Sequence, residues 1–183
     1  IISELNKHKK ENQKFIENYF NSRSVVHFIK INSRRLNSIT YEAVNYIRES
    51  AKGIQEDEMF VSFSGGKDST VVSDLVINAL GKNVIHIYGD TTLEYPTSES
   101  YIKRFKEKHP LIPMLTAKNK DQDFNNLCEV IGPPSRMLRW CCTVFKTGAI
   151  TKKIDSTFKD SKSILTFQGI RRNESLSRSK YDR

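Results

Sequence analysis

Seven consecutive residues, Ser64-Gly-Gly-Lys-Asp-Ser-Thr70, put two glycines, a cation, a carboxylate and three hydroxyls into one short stretch. Two glycines let a backbone turn tightly and present successive N–H groups, and a helix beginning there would place its positive end behind them. Such a loop can cradle an anion. Lys67 would add a mobile point charge, the hydroxyls of Ser64, Ser69 and Thr70 could donate to phosphate oxygens, and Asp68 could hold a magnesium ion. The plainer reading is a turn in which Gly65 and Gly66 bend the chain and Asp68 or Ser69 caps the helix. The spacing is not that of the common phosphate loop, Gly-x4-Gly-Lys-[Ser/Thr], because Val61 stands five residues before Gly66 and Asp68 follows Lys67.

Three more groups have chemical potential. Asp90 closes an apolar run and could take a ribose hydroxyl or a metal, or be a solvated turn carboxylate. Arg171, Arg172 and Arg178 follow another apolar run. Converging guanidinium forks suit a doubly charged phosphate or sulfate, with Glu174 available to orient one of them, whereas arginines on a solvated loop do nothing of the kind. Cys141 and Cys142 are adjacent, so they are read either as ligands of a cluster or as a buried pair of small apolar residues beside Trp140. His8, His27, His86 and His109 have no partners at ligand spacing and receive no role.

The elements that must position these groups follow from periodicity. Residues 1–55 carry helical stripes, Phe15, Ile16, Tyr19 and Phe20 and then Leu36, Ile39, Ala43, Val44, Ile47 and Ala51, and form an N-terminal helical segment. From 56 onward strands alternate with helices. Strands are predicted at 59–63, 84–88, 112–115 and 163–167, with helices at 71–80, 97–109, 121–130 and 142–157. This alternation predicts a mostly parallel sheet with helices on both faces, and in such sheets ligands sit at the carboxyl ends of the strands.

The chain has 183 residues, of which 37% are apolar and 28% charged, with a formal net charge of +9. Disordered and collagen-like classes are excluded, and no apolar run approaches a membrane span. Without a secretory signal pattern and with only three cysteines, the chain reads as cytoplasmic, with no membrane partner. Residues 134–183 hold 12 Lys/Arg against 4 Asp/Glu, so most of the excess charge lies in the last fifty residues. An anionic partner follows, either a polyanion such as a nucleic acid or a small phosphorylated or sulfated molecule. The first residue is not Met and the polar stretch ending at Arg183 is uncapped, which reads as part of a longer polypeptide. Its oligomeric state is left open.

Ser-Gly-Gly-Lys-Asp-Ser resembles the loop of the N-type ATP pyrophosphatases, which bind adenine nucleotides. Three further segments resemble the phosphoadenosine phosphosulfate (PAPS) reductase family within that superfamily. Gly89-Asp-Thr-Thr-Leu-Glu-Tyr-Pro96 is similar to its Asp-Thr-Gly-x-x-[Phe/Tyr]-Pro segment, with Thr92 in the glycine position. Cys141-Cys-Thr-Val-Phe-Lys146 is similar to the Cys-Cys-x-x-Arg-Lys segment of the iron–sulfur adenylyl-sulfate reductases, with Phe145 in place of Arg. Gly169-Ile-Arg-Arg-Asn-Glu-Ser-Leu-Ser-Arg178 resembles a Gly-x-Arg-x-x-[Glu/Gln]-Ser-x-x-Arg segment that grips the substrate's anionic groups.

The resemblance implies a flavodoxin-like, adenine nucleotide alpha hydrolase-like α/β domain over 56–183, C-terminally incomplete. It implies binding of ATP, adenylyl sulfate or PAPS by residues 64–70 with Asp90 and Thr91, and anion binding by Lys146, Arg171, Arg172, Glu174 and Arg178. Lys67 and Arg171 would act in catalysis. Magnesium would accompany ATP, a thiol donor would serve reduction, and Cys141 and Cys142 would give two ligands to a [4Fe-4S] cluster completed by residues beyond Arg183. Two activities are implied, sulfonucleotide reduction or transfer and adenylylation with release of pyrophosphate, the latter in sulfur modification of nucleic acid.

Overall fold

Met59-Phe-Val-Ser-Phe63 is apolar at four of five positions because strand β1, which it forms, is covered on both faces. In the computed structural model, which describes residues 2–21 and 24–171, β1 is joined by β2 (Ile85–Asp90), β3 (Met114–Lys118) and β4 (Leu165–Phe167). All pairings are parallel and the order is β3-β2-β1-β4. The helices between them are α3 (Lys67–Leu80), α4 (Pro96–Lys108), α5 (Phe124–Ile131) and α6 (Gly148–Thr157). This is the α/β parallel sheet that the alternation of elements predicts.

The two-residue period of β1 sorts its side chains to opposite faces. Met59 and Val61 pack with Val76 of α3 and Val84, and Phe63 packs with Tyr88 of β2 and with Ile102 and Phe105 of α4. On the other face, Phe60 and Ile87 pack with Phe158 and with Ile150 and Ile154 of α6. Each fully buried side chain of this size contributes about 1.5–3 kcal/mol. The α3–α4 face also contains one polar group. His86 is completely buried, with Nδ1 2.9 Å from the Val84 carbonyl and Nε2 2.8 Å from Ser73 Oγ. A carbonyl can only accept, so Nδ1 carries the proton and Nε2 accepts from Ser73.

Strand β3 runs from Met114 to Lys118, beginning and ending later than the predicted 112–115. Pro113 has no N–H, yet its carbonyl accepts from His86 N at 2.8 Å and opens the ladder, which then continues through the polar Thr116 and Lys118. The predicted helix over 142–157 begins as a π-helical turn, Cys142–Thr147, before α6.

Before β1, α1 (Ile2–Asn21) and α2 (Val25–Ser50) are helical as the stripes require. Phe28 meets Phe15 and Tyr19 edge-on at 5.1 and 5.7 Å, and Asn18 donates to Asn32 at 2.9 Å. The chain divides into two compact units, Ile1–Tyr46 and Ile47–Arg183, with Ile47 and Ala51 belonging to the core beneath β1. Among the described residues no helix is long and apolar enough to cross a membrane.

Candidate functional site at the ends of β1 and β4

Strands β2 and β3 step away from β1 to one side and β4 lies on its other side, so the strand order reverses between β1 and β4. Crevices at the carboxyl ends of such neighbouring strands are where parallel sheets bind ligands. Ser64 follows β1 at this edge, and residues 168–171 follow β4.

The turn after β1 is bound together from within. Gly65 has φ +72°, a conformation that side chains rarely adopt, and a Cβ there would lie 2.6 Å from Ile102 Cδ1. Gly66 is the N-cap of α3 and has no side-chain cap, so the alternative in which Asp68 or Ser69 caps the helix does not hold. Ser69, 6% exposed, instead donates to the Gly66 carbonyl at 3.0 Å and accepts from Ser64 N and Ser64 Oγ at 3.3 and 3.2 Å. Thr70 donates its hydroxyl proton to the same carbonyl at 2.9 Å. The first intrahelical bond is Thr70 N to Gly66 O at 3.0 Å, so the amides of Lys67, Asp68 and Ser69 have no intrahelical acceptor and supply the positive end of α3. Lys67 is exposed beside them.

The loop after β4 closes on this turn. Arg171 Nε lies 3.1 Å from Asp68 Oδ2, and a Cβ on Gly169 would come within 3.0 Å of the Asp68 backbone carbon and oxygen. Gly169 is therefore needed for the close approach of two backbones. Arg172, Glu174 and Arg178 lie outside the described residues.

One strand over, Asp90 is fully engaged. Its Oδ1 accepts from Thr92 N at 2.9 Å and its Oδ2 pairs with Lys118 Nζ at 3.2 Å. Thr91 donates to Glu94 Oε1 at 3.0 Å. Thr92 has φ +63° and is the one non-glycine residue with positive φ among those described. Tyr88, buried below, has its pKa pushed up to about 12 by burial and then by the carboxylates of Glu94, Asp90 and Glu99, so its phenol stays protonated.

The remaining candidates lie in and beside the π-helical turn that precedes α6. Lys146 and Cys142 are exposed and Cys141 is half-buried, which removes the reading of the cysteines as a buried apolar pair. Trp140 is the buried member of that segment, donating to the Gly132 carbonyl at 3.1 Å and packing on Phe124 and Phe145. Among the described residues no hydrogen bond or ion pair ties Cys141, Cys142 or Lys146 to the loop, and no group of three His, Cys, Asp or Glu is arranged to hold a metal.

Two residues of the site escaped sequence reasoning. Lys118 carried a signal, a cation at the carboxyl end of a strand, but lay past the predicted end of β3. Tyr101 carried none, since its hydroxyl reaches Thr70 at 2.9 Å from a different helix.

Known proteins resemble the chain over most of its length. The family model of the phosphoadenosine phosphosulfate reductase domain matches residues 58–183. The uncharacterized protein MJ0066 of Methanocaldococcus jannaschii is 29% identical over 150 residues, covering 82% of this chain and 30% of that protein. The uncharacterized protein MJ0973 of the same organism is 30% identical over 156 residues, covering 84% of this chain and 36% of that protein. The chain thus spans about a third of the length of these relatives. A crystal structure of phosphoadenylyl-sulfate reductase from Candida auris, a phosphate complex, is similar with a TM-score of 0.48 and 11% identity, covering 87% of this chain and 85% of that one.

Proposed function

The chain belongs to the phosphoadenosine phosphosulfate reductase family of the PP-loop superfamily, and from that premise we propose that it binds an adenine nucleotide, PAPS, adenylyl sulfate or ATP, for sulfonucleotide reduction or transfer. The observation that carries this reading is the meeting of Asp68 and Arg171 where the β1 and β4 loops converge. That meeting brings a guanidinium to Asp68, one of the three residues whose amides open α3 and the neighbour of Lys67 in the sequence. A phosphate or sulfate there would be held by backbone donors and two cations.

In this reading Lys67 and Arg171 stabilise negative charge as it grows on the departing phosphate, which is the part of the chemistry that preorganised donors perform best. Asp68 orients Arg171 through Nε and so sets the plane of the guanidinium beside the anion. Asp90 and Thr91 form the nucleoside side of the site, and a thiol donor supplies the electrons for reduction. Arg172, Glu174, Arg178 and Lys146 complete the anion binding.

Magnesium would accompany ATP. Oδ2 of Asp68 is taken by Arg171 and both oxygens of Asp90 have partners, so Asp68 Oδ1 is the carboxylate oxygen that fits a cation whose other ligands are water and phosphate. Its chemistry there is to neutralise phosphate charge. Cys141 and Cys142 would supply two of the four thiolates of a [4Fe-4S] cluster, the others coming from beyond Arg183.

The test is titration of the protein with ATP, adenylyl sulfate and PAPS, with and without magnesium, beside a Lys67→Ala variant that keeps its melting temperature. Binding of at least one nucleotide, weakened about tenfold or more by the variant, is the expected result. If binding instead goes to nucleic acid alone, falls steeply with salt and ignores Lys67→Ala, the nucleotide reading is wrong and the basic C-terminal stretch is a polyanion surface.

A further inference from the structure

The hydroxyl of Tyr101 lies 2.9 Å from Thr70 Oγ1. Thr70 Oγ1 itself is 2.9 Å from the Gly66 carbonyl, which can only accept, so the threonine proton is committed there. Tyr101 must then be the donor to Thr70. The result is a directed chain, Tyr101 O–H to Thr70 O–H to Gly66 C=O, in which each donor polarises the next.

The Gly66 carbonyl also accepts from Ser69 Oγ and Thr70 N, each at 3.0 Å. All of these donors lie on the helix side, so the carbonyl is drawn toward α3. The Gly66–Lys67 peptide is planar and trans, which sets its N–H opposite its C=O. Holding the carbonyl toward the helix therefore aims the Lys67 amide away from it, toward the end of the sheet.

Helix α4, which carries Tyr101, also braces the residue before Gly66. A Cβ on Gly65 would meet Ile102 Cδ1 at 2.6 Å and Tyr101 Cδ1 at 3.5 Å, so α4 lies directly against the turn. Ile102 is buried, 6% exposed, and anchored beside Phe63 and Phe105. The apolar contact fixes where α4 sits, and the tyrosine hydroxyl converts that position into a hydrogen-bond constraint on the loop.

We propose that Tyr101 is a positioning residue for the anion loop, acting through Thr70 and the Gly66 carbonyl to hold the Lys67 amide in its ligand-facing orientation. This rests on the nucleotide reading above and adds to it the element that preorganises the loop. Tyr101 touches no ligand in this scheme; its effect is on phosphate-bearing ligands as a class, whatever nucleoside they carry.

The experiment compares the 183-residue protein with Tyr101→Phe, Thr70→Val, Thr70→Ser and the Tyr101→Phe/Thr70→Val pair. The probes are ATP, PAPS and inorganic pyrophosphate, and melting temperatures are recorded for each protein. Tyr101→Phe should weaken every phosphate probe that the wild type binds by a similar factor, about three- to tenfold, while shifting the melting temperature little. Thr70→Ser, which keeps the chain of hydroxyls, should bind more tightly than Thr70→Val, and the double variant should lose no more than Thr70→Val alone. Wild-type affinity in Tyr101→Phe, or losses that multiply in the double variant, overturns the positioning role and leaves the nucleotide reading intact. A wild type that binds none of the probes overturns both.

Discussion

Asp68 and Arg171 meet at 3.1 Å although one opens the helix after the first strand and the other follows the fourth. Their side chains are 32% and 54% exposed, so the pair contributes at most about 1 kcal/mol to stability. It also restricts the guanidinium, a planar group held here through Nε.

Replacing Arg171 by Ala should therefore cost about tenfold or more in affinity for the nucleotide that the wild type binds, with little change in melting temperature. Arg171→Lys keeps the charge but not the planar guanidinium, and should recover only part of the loss. Asp68→Asn should fall between wild type and Arg171→Ala. Titration calorimetry and thermal melts on the three variants decide this; equal affinities across the series would remove Arg171 from the site.

Protonation of buried His86 should make stability depend on pH. Burial lowers its pKa below the ordinary 6.5, against the Val84 hydrogen bond that raises it, and the charge of His109 lowers it further. The unfolded chain thus takes up a proton near pH 6.5 that the folded chain refuses. The contribution is complete above that pH and is lost as pH falls from 6.5 toward the lower folded value. The slope from this one group is at most one proton, about 1.4 kcal/mol per pH unit. Urea unfolding at about pH 8, 6.5 and 5, values that bracket the ordinary histidine range, should show this fall, and a His86→Gln variant should flatten it. An unchanged slope in that variant would assign the effect elsewhere.

Thr92 holds a left-handed backbone, φ +63°, that costs a β-branched residue about 1–3 kcal/mol. Asp90 stabilises it by accepting from the Thr92 amide, a bond that any residue with an N–H at 92 retains. Thr92→Gly should relieve the strain, less the extra freedom of glycine in the unfolded chain, for a net gain of up to about 1 kcal/mol in urea unfolding. A loss of stability would mean that the Thr92 side chain holds the turn.

Much of the fold was legible because burial writes itself into periodicity. Met59–Phe63 and Ile85–Tyr88 are covered on both faces and read as apolar runs, and the stripes of α2 and α3 record the faces that they bury. The predicted β3 lies too early because the strand's later residues, Thr116 and Lys118, are polar and break the apolar run. The turn at 64–66 was legible because a glycine pair between an apolar run and a helical stripe marks the place where the chain bends.

The sequence alone determined the local chemistry of this protein: a turn with two glycines, a lysine, a carboxylate and three hydroxyls, and a surplus of cations in its last fifty residues. Only the tertiary structure decided which of these residues share a site. It joined Arg171 to Asp68, gave Asp90 to Lys118, brought Tyr101 to Thr70, and left Cys142 exposed. The physical reason is that parallel strands place residues far apart in the chain at one sheet edge. Which of them meet depends on strand order and helix packing, which no local spacing encodes.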